Sequence, residues 1–175
     1  MSKPESISAR WTRFNHRVAA RISTRARPAT GFTSMPEPRT IGLFARGKQL
    51  VAGNFLFAGH LISAPKTSMW DINVPDDVFA EEQHGFAWLD DLAAVGDAPA
   101  RERAQEWVWR WIDRYGRGSG PGWIPDLAGR RLIRWISHAI FLLRARDSAQ
   151  SEDFYRSLAQ QTIFLSKRWH KTVPG

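Results

Sequence analysis

The sequence predicts an all-α fold of paired antiparallel helices, with a short irregular or β-hairpin segment near residues 41–62. Three observations predict it. Beyond Asp71 apolar residues recur every three or four positions in several long stretches; Gly, Pro and Asp breaks between the stretches are short; and only residues 41–62 show the Gly- and Phe-rich texture of a strand pair or packed loop.

Ile7, Trp11, Phe14, Val18 and Ile22 open the chain at spacings of four and three, with Arg10, Arg13, Arg17, Arg21 and Arg25 between them. This is a basic amphipathic helix over residues 1–26. It could lie on an acidic membrane or on RNA. Its apolar stripe is equally what a first helix needs to dock on its own domain, and docking is the preferred reading. Pro28, Gly31, Pro36 and Pro38 then make residues 27–40 an extended linker.

In the segment from Ile41 to Ile62, the run GNFLFAGHLI places apolar residues between glycines. Gly47, Gly53 and Gly59 lack the spacing of a dinucleotide-binding loop. Phe79, Phe86, Leu89 and Leu92 mark the next helix, ended by Gly96. Pro99 starts another, carrying Ala104, Trp107, Val108, Trp111 and Ile112, and the two are read as antiparallel neighbours. Residues 114–123, RYGRGSGPGW, form a loop. Leu132, Trp135, Ile136, Ala139, Ile140 and Leu143 define one further helix. Phe154, Leu158, Thr162, Leu165 and Trp169 define the last, for which Ser151 is the expected cap.

Composition narrows the function. Apolar residues make up 43% and charged residues 24%, the balance of a globular chain. With no cysteine, thiolate zinc sites and cysteine nucleophiles are excluded. No run approaches the roughly 20 apolar residues of a membrane span, and no secretory signal opens the chain, which reads as soluble and unexported. The net charge of +8, mostly arginine, favours polyanionic partners. The nine tryptophans suit core packing first, and stacking on sugars or bases second.

Catalytic constellations are scarce. His16, His60, His84, His138 and His170 never stand at the spacing of metal ligands on one helix face. His138, in an apolar helix, reads as a buried hydrogen-bonded histidine more than a catalytic one. The pairs Asp76-Asp77, Glu81-Glu82 and Asp90-Asp91 diverge on a helix and read as solvated faces, not as glycosidase carboxylates. GRGSGPG has no preceding strand to make a nucleophile elbow. What remains is WIPDLAGRRLIRW, residues 123–135, where Arg130, Arg131 and Arg134 cluster at a helix start. Guanidinium forks there suit an acidic sugar, or they pair with Asp126 and other acids to stabilise the helix end. Spacing leaves both open.

This segment resembles the heparinase II/III family of polysaccharide lyases, whose toroid has Trp-x-Pro-Tyr, then Ser-x-Arg, then Asn-Trp. Trp123, Pro125, Arg131 and Trp135 match, while Asp126, Gly129 and Arg134 stand where the family has Tyr, Ser and Asn. GNFLFAG, Trp70-Asp71 and FAWLDDLA extend the resemblance over residues 40–145. It implies that residues 41–175 are the amino-terminal, incomplete part of a partial (α/α) toroid. The chemistry implied is cofactor-free β-elimination on an acidic, uronic-acid-containing polysaccharide: neutralise the carboxylate, remove the adjacent proton, protonate the departing oxygen. The family's catalytic residues lie beyond the matched part, so none is assigned here and this segment alone is expected to be inactive. Trp123, Arg130, Arg131, Arg134 and Trp135 are the expected substrate-binding residues. The resemblance implies an envelope or periplasmic location, while the lack of an export signal leaves the cytoplasm open. The alternative is a non-enzymatic basic helical module for nucleic acid or acidic membrane; a third reading is a structural domain whose basic residues are incidental.

Overall fold

Described residues 7–24, 31 and 41–168 of the computed structural model form an all-α unit carrying one small antiparallel sheet. The proposed linker at 27–40, apart from Gly31, and Trp169 and the residues after it lie outside the described residues. Helix α1 spans Ile7–Ser23, α2 Phe44–Val51, α3 Asp77–Gly85, α4 Ala87–Val95, α5 Ala98–Tyr115, α6 Pro125–Ser137, α7 Ala139–Leu143 and α8 Ser148–Arg168. Strands β1, Asn54–Phe57, and β2, His60–Ser63, pair in register Phe57↔His60.

The region expected to be a strand pair or loop holds both a hairpin and a helix. Ala58 and Gly59 turn the hairpin with positive φ at both central positions, which matches strand twist. Phe55 and Phe57 point inward while Leu56 points out, the alternation a strand imposes. Helix α2 has no clear signal in the sequence, because its eight residues offer little periodicity and contain Gly47. That glycine is what the packing needs. A Cβ at Gly47 would meet the Asp91 carbonyl oxygen at 2.2 Å, and one at Gly42 the Asp90 oxygen at 1.9 Å, so the two glycines let α2 and its lead-in lie directly on α4.

Two expected single helices are each broken in two. At Phe86 the backbone turns left-handed, φ 62°, separating α3 from α4. Gly85 stands directly before the break, yet the residue that turns left-handed is the bulky Phe86, whose strain is offset by the ring's place in the core. At His138 the backbone leaves the helical region, φ −107° and ψ 21°, separating α6 from α7. Elsewhere the punctuation is as read: α4 ends on Gly96 with φ 70°, Pro99 lies in the first turn of α5, and Pro125 opens α6. Asp76 and Asp97 cap α3 and α5, accepting from the Phe79 and Ala100 amides. Helix α8 begins three residues before Ser151, and Asp147, not Ser151, caps it by accepting from the Gln150 amide at 2.7 Å.

Helix α1 docks on α8, as preferred from the sequence, but through the opposite face. Ala19, Ala20 and Ser23 are buried, while Phe14, Val18 and Ile22 face solvent. Small residues win the contact because they allow close approach: a Cβ at Gly118, φ 82°, would sit 2.7 Å from the Ala20 carbonyl carbon. The Arg168 guanidinium donates to the Asn15 carbonyl and the Gln160 amide to the Thr24 carbonyl, so hydrogen bonds hold both halves of the helix.

Candidate functional site

Aromatic residues from α3–α6 and the intervening loops converge on one interior centre. Phe86 lies 4.6 Å from Trp88, 5.4 Å from Trp135 and 6.0 Å from Trp111, and Trp70 and Trp107 close the cluster. Burial of these rings is the main stabilising term, with edge-to-face geometry adding about 0.5–1.5 kcal/mol per pair. Within the cluster lies a cation. Arg131, wholly buried on the inner face of α6, stands 4.0 Å above the Trp111 ring and 5.8 Å from Trp123.

No carboxylate among the described residues pairs with that guanidinium. Its Nε donates to Gln161 Oε1 at 2.7 Å, and Nη1 to the carbonyls of His84, 3.2 Å, and Gly122, 3.1 Å. Neutral oxygens and ring faces therefore replace a counter-ion. Burial lowers its pKa to about 9, which leaves it charged at neutral pH. His84 beside it is held neutral: burial first, then Arg131 and Arg114, lower its pKa to about 3. Its Nδ1 accepts from the Trp111 indole at 3.0 Å, which only the unprotonated nitrogen can do. Gly122 is confined by the same group, since a Cβ there would reach His84 Nδ1 at 2.6 Å.

A second polar cluster sits at the edge of the core. Asp90 on α4 accepts from Arg134 Nε at 3.0 Å and lies 2.8 Å from His138 Nε2, where α6 gives way to α7. Burial pushes the Asp90 carboxyl up, but the His138 hydrogen bond and Arg134 outweigh it and the pKa falls. Its neighbour Asp91 moves the other way, raised by burial despite accepting from the Leu43 amide and facing Arg46. The Asp90-Asp91 pair is therefore not a solvated face. Both carboxylates are buried ties, one to α6 and one to the lead-in of α2. Adjacent residues on a helix point about 100° apart, so one buried pair can reach two neighbours.

The five expected substrate-binding residues are thus separated. Arg131 and Trp135 are fully enclosed, and Arg134 is turned onto Asp90. Trp123, 2% exposed, forms the floor of an open depression that His16 and Arg17 of α1 share with Asp77 and Glu81 of α3. Arg130 alone is well exposed, and it pairs with Asp126 at 2.9 Å. In place of the expected groove lining, the arginines form two ion pairs and one interior cation–aromatic stack. The physical reason is α6's orientation. Its face bearing Leu127, Ala128, Arg131, Leu132 and Trp135 is the apolar one, and Arg131 goes in with it. Gln161 and His84, which complete the arginine's shell, carried no sequence signal beyond their place in apolar helices.

The described residues define a helical unit organised around a buried arginine–tryptophan cluster, and no helix among them is long and apolar enough to cross a membrane. No family model matches the chain, and no solved structure matches it. The chain is similar to FtsZ-localized protein C of Caulobacter vibrioides, at 30% identity over 133 residues, 75% of this chain and 23% of that protein. It therefore spans about a quarter of the length of the curated relative it matches.

Proposed function

We propose that this chain is a non-catalytic helical scaffold unit of a protein that localises with FtsZ at the division site. The observation that carries the non-catalytic part is the enclosure of Arg131 and Trp135 in the core and the pairing of Arg134 with Asp90, which keeps these three side chains off the surface where a ligand would meet them. Similarity to an FtsZ-localized protein over three quarters of the chain supports the cellular part. A fluorescent fusion of the full-length gene product, imaged with FtsZ of the same organism, tests it. Midcell enrichment that disappears when FtsZ is depleted is expected; uniform fluorescence throughout the cell cycle rejects the reading.

A second reading is favoured by the motif order over residues 40–145. In it the paired helices are the first arc of an (α/α) toroid in a heparinase II/III-like lyase, and the buried Arg131 and Trp135 support the wall of a groove for acidic polysaccharide. Incubating the full-length gene product with heparin, heparan, chondroitin and alginate tests this through the absorbance of the new double bond. Absence of signal on all four removes it. The two readings are compatible, because a scaffold arc and a division-site location belong to different levels of the same protein.

A further inference from the structure

The small sheet has one open edge. Strand β1 lies beside α2, with Asn54 Nδ2 donating to Gln49 Oε1 at 2.8 Å, whereas the chief neighbour of β2 is β1 itself. Phe57 and His60 flank the two-residue turn as a hydrogen-bonded pair, and the Ala64 amide donates to the Gly53 carbonyl at the far end, so the alternation of an antiparallel ladder turns the N–H and C=O groups of Leu61 and Ser63 away from β1. Among the described residues nothing pairs with the Leu61 backbone on that side. An edge in water is normally blocked by lysine, proline or a bulge, because its unpaired groups are a template for another strand. Strand β2, HLIS, has none of these, and only Ile62 among its residues is half-buried. From Gln49 to Pro65 the chain carries no Asp, Glu, Lys or Arg, although 24% of its residues are charged. Leu56 and Leu61 stand opposite each other on the outer face, 48% and 66% exposed, and border a pocket of about 200 Å³ shared with Leu50 and Phe57.

A free strand edge takes an extended backbone, and charge decides whose. A polyanion finds no lysine or arginine on this strip, and Asp76, which meets the start of the strand, is held by His60 at 3.0 Å. Two copies of a chain of net charge +8 repel each other except where they meet through uncharged surface, and the hairpin is such a surface. An antiparallel pair about a two-fold axis at Leu61 is self-complementary: each edge supplies donors and acceptors to the other, and Leu56, Leu61 and their two counterparts form one apolar row across a four-stranded sheet. A register centred on Ile62 would set Leu61 against serine and break that row. We infer that β2 is a self-association edge through which two copies of the chain join their hairpins, Leu61 opposite the partner's Leu61. Four residues of edge bury less than the roughly 1,200 Å² of a stable complex, so the dimer is weak, with a dissociation constant on the order of 0.1 mM.

Sedimentation equilibrium of the full chain from about 5 µM to about 0.5 mM tests the inference. The weight-average mass is expected to rise from that of the monomer toward twice that value. Leu61→Lys, which sets a charge on the edge, should stay monomeric over the same range while keeping the parent's circular dichroism and melting temperature, because the position faces solvent. The chain has no cysteine, so Leu61→Cys carries a single thiol. Residues paired in this way stand about 5.5 Å apart between Cα atoms, within the reach of a disulfide. On mild oxidation Leu61→Cys should form its covalent dimer about tenfold faster than Ser63→Cys, whose thiols lie on the same edge but do not face each other in this register. The cysteine comparison decides the matter even where lysine disturbs the hairpin. A parent chain that stays monomeric throughout overturns the inference, as does a dimer that persists at the parent level in folded Leu61→Lys, or equal crosslinking of the two cysteine variants.

Discussion

The Arg131 guanidinium lies 4.0 Å over the Trp111 ring in the centre of the core, and no carboxylate among the described residues neutralises it. The arrangement ties together four helices and a loop: α6 supplies the arginine, α5 the indole, α8 Gln161, α3 the His84 carbonyl, and the loop before α6 the Gly122 carbonyl.

Truncating that arginine should therefore unfold the protein more than it weakens any ligand. Arg131→Ala leaves a cavity and strands Gln161 and two carbonyls, and about 3–5 kcal/mol of stability should be lost. Arg131→Met, which fills the volume without a charge to desolvate, should cost markedly less. Urea denaturation of the two variants reads the difference. Wild-type stability in Arg131→Ala would show that the stack is not structural.

His84 makes stability depend on pH in a direction that follows from its environment. Its folded pKa, about 3, lies below the unfolded value of 6.5, so between these the unfolded chain binds the additional proton. Stability is full above about pH 6.5 and declines as pH falls toward 3, by a total on the order of 3–5 kcal/mol. His84→Asn keeps an acceptor for the Trp111 indole and removes the titration. Melting temperatures from pH 7 to pH 4 should fall less steeply in this variant than in the parent.

Asp90 holds Arg134 and His138 together at the edge of the core. Removing its charge in Asp90→Asn leaves Arg134 without its carboxylate and should cost about 2 kcal/mol. The carboxyl's folded pKa is lowered, so its contribution is present above the unfolded value of 3.8 and lost as pH falls through the folded one. Chemical denaturation should show a smaller gap between parent and variant at pH 3 than at pH 7. An equal gap at both would show that the ion pair is not the source.

Gly118 tests the seat of α1. Alanine there combines a positive φ with a Cβ 2.7 Å from the Ala20 backbone, which should loosen α1 and cost about 1–3 kcal/mol. Hydrogen exchange should accelerate across Asn15–Ser23 while the amides of α5 and α6 keep their protection.

Local chemistry was legible along much of the chain. The apolar periodicities of α5, α6 and α8, the stops at Gly96 and Pro99 and the loop at 116–122 follow from side-chain spacing and backbone preference, which act within a few residues. The burial of His138 was legible on the same basis: a lone histidine on an apolar stripe goes in with the stripe.

What periodicity cannot contain is which neighbour an apolar face meets. The sequence marks Phe14, Val18 and Ile22 as a stripe fit for docking, yet α1 docks through Ala19, Ala20 and Ser23, because close approach to Gly118 depends on a loop a hundred residues away. The sequence also places Arg131 among arginines and tryptophans suited to a sugar. The fold encloses it, because His84 and Gln161 come from distant segments, and Gly122 from the loop before α6, to accept from its Nε and Nη1. The sequence by itself determined the helical class, the main breaks and the basic charge, all of which are sums over local residues. Only the tertiary structure decided the glycine-lined contact of α2 with α4, the left-handed turn at Phe86 and the interior fate of the arginine, because each is set by the space that distant segments leave.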